Sequence, residues 1–311
     1  YASQSYRDDD AIKYAARAVE LNPDDAEGHR RLGDLYRSRQ DTERAIKEYR
    51  EAIAKNDRLF LVYFQLADLL LARGQADEAD RLFRKVFKSA PDDELVGRAA
   101  RLALQLHTTR GTLESLEQEL LPLAIANPQR PLFRRVLVEA YGHLSRPLLQ
   151  RVREGTPEEA NAARAALQKL GARAVKPLLD ALVDPDTTGQ RVAIDILTFV
   201  ENKGVSPSLL SFATGGADTS LRARAMIACG NLRDVSLLPR FEALLFPKEG
   251  TVAALGVDQV TLATAWAIAR TGSPRALPIL RRLLWDGTPD VRAIAALGLA
   301  QEKDRSAEPR L

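Results

Sequence analysis

Three histidines, one cysteine and 42 carboxylates are the side chains of this 311-residue chain that could carry acid–base, nucleophilic or metal chemistry. Their spacing brings no reacting set together. His29, His107 and His143 lie far apart, and no HExxH pair would turn two imidazoles toward one zinc ion. A lone cysteine, Cys229, rules out an internal disulfide and a thiolate metal cage. There is no phosphate-cradling Walker loop, no GxGxxG opening a helix and no GxSxG elbow for a nucleophilic serine. The expectation is a chain with no catalytic residues, no cofactor and no metal.

The elements that position these residues come from composition and period. Ala, Leu, Arg and Glu dominate over Val and Ile, a helical composition, and the length exceeds a single core, so two domains or a repeat array is expected. Lys plus Arg total 45 against 42 Asp plus Glu, a net charge of +3. Residues 1–150 hold 24 of each sign and residues 151–311 hold 21 and 18, so neither half is a basic body that would track phosphates. No apolar run reaches the length that crosses a bilayer, and no signal segment opens the chain, so no membrane partner is expected. The compartment stays open; the missing disulfide fits the cytosol without requiring it.

Leu32, Gly33, Tyr36, Ala45, Tyr49 and Ala52 recur 34 residues later as Leu66, Ala67, Leu70, Ala79, Phe83 and Val86. Small and large residues alternate at helical spacing, which lets two antiparallel helices approach while aromatics fill the gap to the next pair. His29 and Tyr63 take the first large position and Pro91 the terminal proline; His29 therefore reads as a packed ring. This pattern resembles the tetratricopeptide family. Residues 1–144 are assigned to it: a partial repeat 1–25, whose first seven residues are the tail of a preceding helix, full repeats 26–59, 60–93 and 94–130, and a half repeat 131–144. The 94–130 repeat needs three inserted residues near Thr109–Thr112, which puts Leu116, Leu120 and Leu123 on the packing stripe. Residues 145–156, with Pro147 and Gly155, break the register as a junction.

Beyond Pro157 the period changes. Pro177, Ser208, Pro239, Pro278 and Pro309 stand 31, 31, 39 and 31 residues apart, the extra eight falling near Phe246–Gly256. Ala160, Arg191, Arg222, Thr261 and Arg292 keep the same count. A proline in the first turn of each second helix costs no hydrogen bond, because those amides lack internal partners. Asp290-Val291-Arg292 followed by Ala295, Leu297 and Gly298 resembles the short HEAT-like repeats of bilin lyases and bacterial scaffolds. The expected units are 157–187, 188–218, 219–256, 257–287 and a truncated 288–311. With both ends falling inside a repeat, the chain is expected to be part of a larger polypeptide or complex. The fold class is all-α, an alpha-alpha superhelix in which a tetratricopeptide array precedes a HEAT-like array.

The resemblance places a binding surface on the first helices of the tetratricopeptide repeats. Its columns are Arg30 and Asp34, then Leu61, Phe64 and Asp68, then Arg98, then Arg135, a groove suited to a protein or peptide partner with apolar anchors and an acidic flank. The Lys/Asn/Lys/Arg clamp of chaperone-binding relatives is absent, since those positions hold Arg30, Asp34, Gln65, Leu95 and Ala99. In the second half Cys229 and Trp266 fall in packing columns. Phe246 and Trp285 occupy a helix-end position that is polar at Asp184 and Gly215, and are a second candidate contact patch. Asp180, Ser211, Glu242 and Arg281 share one column with mixed signs, which weighs against nucleic acid as a partner. The function expected is a protein-interaction scaffold and not an enzyme. The alternatives are a HEAT-repeat enzyme or subunit of bilin-lyase or DNA-glycosylase type, though the paired His-Glu motif of di-iron HEAT hydroxylases is missing, or a structural arm of a larger assembly.

Overall fold

The computed structural model describes residues 2–216, 218–246 and 258–303, with side chains from residue 9 onward. These residues are all-α, a solenoid class of paired helices, in two compact units, Tyr1–Val136 and Leu137–Leu311.

In the first unit α1 (Ala2–Leu21) precedes three hairpins: α2 (Ala26–Ser38) with α3 (Thr42–Lys55), α4 (Phe60–Ala72) with α5 (Ala76–Ser89), and α6 (Asp93–Arg110) with α7 (Leu113–Ala126). Aspartates start several of these helices by accepting from early amides, Asp25 from Glu27, Asp41 from Arg44 and Asp92 from Glu94. Each hairpin turns on a left-handed residue, Gln40 (φ 62°), Gly74 (φ 74°) and Gly111 (φ 67°). The step from α5 to α7 is three residues longer than that from α3 to α5, and the expected insertion lengthens α6 itself, which has 18 residues where α2 and α4 have 13. Gly33 faces Tyr49 so closely that a Cβ there would lie 2.7 Å from the ring. Tyr49, Phe83, Leu116 and Leu120 are fully buried in the resulting stack.

Residues 2–7 are not the tail of a separate helix. From Ala2 they continue into α1, because Ala2–Leu21 contains neither glycine nor proline to end a helix.

The helix α8 (Pro131–Glu154) runs on into the second unit. The break expected over 145–156 is confined to Gly155 and Thr156: residues 145–154 are helical through Pro147, carried by strong helix formers such as Leu148, Leu149 and Gln150. The compact units divide between Val136 and Leu137, earlier than that junction.

The second unit continues with α9 (Pro157–Leu182), α10 (Thr187–Leu197), α11 (Ser206–Thr214), α12 (Thr219–Asn231), α13 (Leu238–Leu245), α14 (Gln259–Arg270), α15 (Leu277–Asp286) and α16 (Pro289–Gln301). Asp186, Asp218 and Asp258 cap α10, α12 and α14. Single 3₁₀ turns lead into α11, α13 and α15, each capped by a side chain five residues before a first-turn proline: Asn202 before Pro207, Asp234 before Pro239, Ser273 before Pro278.

Pro177 departs from this scheme and starts no helix. The residue five before it is Ala172, which cannot cap, so α9 passes uninterrupted through the proline. The eight-residue insertion beyond Phe246, and Pro309, lie outside the described residues.

The first helices of this unit touch through small residues. A Cβ on Gly230 of α12 would lie 2.7 Å from the Cα of Ala267 in α14, and one on Gly298 of α16 would lie 2.8 Å from the Cβ of Ala269. Cys229 is buried and burial pushes its thiol up to about 12, so it behaves as the small apolar side chain expected of its column.

Candidate partner-binding faces

On the first unit the pair Arg30 and Asp34 is occupied internally. Arg30 donates to Asp34 Oδ2 at 2.5 Å and to the Glu27 carboxylate. Asp34 Oδ1 accepts from the Tyr49 hydroxyl at 2.7 Å and from Gln65 Nε2 at 2.9 Å, so one carboxylate ties α2, α3 and α4 together. Burial and this carboxylate both raise the Tyr49 phenol, which stays protonated as the donor. Gln65 is the residue sequence reasoning left without a role; its 31-residue separation from Asp34 gives no local signal.

Phe64 is not an exposed anchor. It is only 2 % exposed, tilted against Phe83 at 6.5 Å between centroids, with the Arg98 guanidinium 4.4 Å above its ring. Phe64 and Arg98 stand 34 residues apart at the same repeat position, and equivalent positions of adjacent repeats are neighbours in a stack. The structure therefore brings this predicted pair together, as a covered aromatic and its lid. Leu61 is 60 % exposed, and Asp68, Arg98 and Arg135 are exposed as well.

A second polar network is buried in the same unit. His107 Nε2 faces Asp80 Oδ1 at 3.0 Å, while Nδ1 faces the Thr112 hydroxyl at 2.8 Å and its carbonyl at 3.0 Å. Asp80 also pairs with Arg84 at 2.8 Å, and Arg84 reaches Glu119 at 2.9 Å, joining α5, α6 and α7. Burial raises the Asp80 carboxyl, but His107 and Arg84 outweigh it and hold the group below the usual carboxylate range. His29 is likewise built in, 2.7 Å from Glu48 and 3.1 Å from the Pro23 carbonyl. Along α3 a cleft of about 480 Å³ is lined by Arg44, Lys47, Arg50 and Arg73 with Glu43 and Glu51. Three of its arginines already pair with Asp41, Glu78 and Glu43.

In the second unit the expected ring pair is divided. Phe246 is 8 % exposed and lies under the Arg282 guanidinium at 3.6 Å, whereas Trp285 is 64 % exposed. Phe246 thus supports the surface and Trp285 forms it. Among the described residues no group of three His, Cys, Asp or Glu stands close enough to hold a metal ion, and no helix is long and apolar enough to cross a membrane.

A tetratricopeptide repeat model matches residues 37–102, and a HEAT repeats model matches residues 206–300. The chain joins tetratricopeptide repeats to HEAT repeats. No curated protein matches it. Among solved structures it is similar to human deoxyhypusine hydroxylase in complex with glycerol, at 17 % identity and a TM-score of 0.34, over 86 % of this chain and 98 % of that one. It is also similar to the P58(IPK) TPR domain, at 16 % identity and a TM-score of 0.31, over 97 % of this chain and 86 % of that one. At those scores neither likeness bears on function. The tetratricopeptide match spans α3 to α5 and half of α6, and the HEAT match spans α11 to α16 without its last residue, so both surfaces described above fall mainly within matched repeats.

Proposed function

We propose that this protein is a scaffold whose tetratricopeptide unit holds a peptide or protein segment along its first-helix face, and that it is not an enzyme. The observation that carries the reading is Leu61, a leucine 60 % exposed on a first helix whose neighbours Asp68 and Arg98 are also exposed. A surface leucine two turns from Asp68 on one helix face, with Arg98 over the intervening Phe64, fits an apolar anchor on a partner flanked by residues of both signs. Arg30 and Asp34 belong to the frame of that surface, because both are held by hydrogen bonds within the unit. In the first unit Asp80, His107 and Arg84 are paired in a network between helices, which is how structural polar groups are satisfied.

The test is selection of binding peptides from a displayed random library on the full chain. Peptides that engage this face lose about tenfold or more in affinity on Leu61→Asp, an effect of about 1.4 kcal/mol, and keep it on Lys47→Ala, which lies in the cleft along α3. Selected peptides that bind both variants as tightly as the unsubstituted chain would defeat the proposal.

A further inference from the structure

We infer that the HEAT unit carries a second, independent docking surface, centred on Trp285 and Arg282, for an acidic protein segment that bears an apolar side chain. The surface is the end of a second helix, where the exposed residues Arg281, Arg282 and Trp285 share one side of the last turns of α15, Trp285 by 64 %. It is braced by the preceding repeat, because the Arg282 guanidinium lies 3.6 Å above the ring of Phe246, the residue that ends α13.

That stacking gives Arg282 a fixed orientation. One face of its guanidinium rests on the ring, one edge is 3.6 Å from the Asp286 carboxylate, and about half of the side chain remains open to solvent. A planar donor held in this way loses little freedom when a carboxylate arrives, so its fork is prepared for binding before the partner is present. Beside it stands an exposed indole, the side chain most enriched at binding hot spots together with arginine.

Charge selects the occupant. On the last turns of α15 Arg281 and Arg282 stand with Asp286, which leaves the side that carries Trp285 net positive. In the preceding second helices the positions of Arg281 and Arg282 hold Ser211 and Phe212 in α11 and Glu242 and Ala243 in α13, so this pair of cations belongs to α15. An extended basic face without apolar residues would suit phosphates; here Arg281 and Arg282 stand beside Trp285, which suits carboxylates around one apolar anchor.

The experiment is fluorescence anisotropy with the full chain and three labelled probes: a glutamate-rich peptide with a central leucine, its lysine-substituted twin, and a thymidine oligonucleotide. The acidic peptide is expected to bind, to bind more tightly than the other two, and to weaken about tenfold in Trp285→Ala and in Arg282→Gln, with Leu61→Asp unchanged. Because Trp285 is exposed, its alanine variant retains the fold, and circular dichroism verifies this for both. The inference is overturned if the acidic peptide does not bind, if its lysine twin binds equally, if the oligonucleotide binds more tightly, or if Trp285→Ala leaves the affinity intact.

Discussion

The tetratricopeptide unit and the HEAT unit stack similar helices with different cement. In the first, glycine serves the hairpin itself, as Gly33 seats Tyr49, and adjacent helices are tied by ionisable groups: half-buried Asp34 to Tyr49 and Gln65, and buried Asp80 to His107 and Arg84. In the second, small residues join one repeat to the next, as Gly230 against Ala267 and Gly298 against Ala269, and several buried polar groups are local caps such as Asp234 and Ser273. Polar cement has direction and depends on pH, while apolar contact of backbones tolerates neither added volume nor a gap. Two arrays of the same secondary structure therefore have different weaknesses.

The largest effect separating them is expected from Asp80→Ala, which leaves His107 and Arg84 without their buried acceptor and destabilises the first unit by about 3–5 kcal/mol. Both tryptophans lie in the second unit, so urea unfolding followed by tryptophan emission should not move while the circular dichroism transition of the first unit does. Gly230→Val reverses the pattern. Its Cβ meets backbone, which cannot rotate away, and a loss of about 1–3 kcal/mol should be visible by tryptophan emission.

Acid sharpens the contrast further. Because the folded Asp80 carboxyl is held below its ordinary value, its contribution is fully present above the unfolded value of about 3.9 and is lost as pH falls through the depressed folded value. Asp195 in the HEAT unit shifts upward, through burial that its partner Arg224 only partly offsets, so folding there takes up a proton more readily and stability gains as pH falls through that raised value. Urea midpoints measured between pH 6 and pH 3 should drop with a steeper Asp80-dependent component in the first unit, removed in Asp80→Asn, and carry an opposite component in the second, removed in Asp195→Asn. The smallest effect is Arg98→Ala, which uncovers one face of Phe64 and is expected to cost about 0.5–1 kcal/mol in the first unit alone, read from its circular dichroism midpoint.

The helical hairpins and many core residues were legible because a 34-residue or 31-residue period repeats the packing constraint, so Tyr49, Phe83, Ala225 and Ile268 are found by counting. Site assignments were less so. Phe64 holds a position that faces outward by family convention, but the covering group is supplied by the next repeat, and a single-repeat pattern cannot show that Arg98 lies over it. Phe246 was misplaced for the same reason, its cover Arg282 being 36 residues away. The uninterrupted α9 did have a signal, the missing cap at Ala172, which is read only when the three capped turns are compared.

Where the other HEAT hairpins bend on a capped turn, α9 extends for 26 residues, about 39 Å at the usual helical rise, as a single beam. Force applied at one end of such a beam is delivered to the other, whereas a jointed pair would absorb it by folding at the joint. Its one compliant point is Pro177, where an internal hydrogen bond is missing. A single carboxylate introduced by Ala172→Asp would offer the cap that its sisters possess, and the difference between girder and elbow in this protein comes down to that one methyl group.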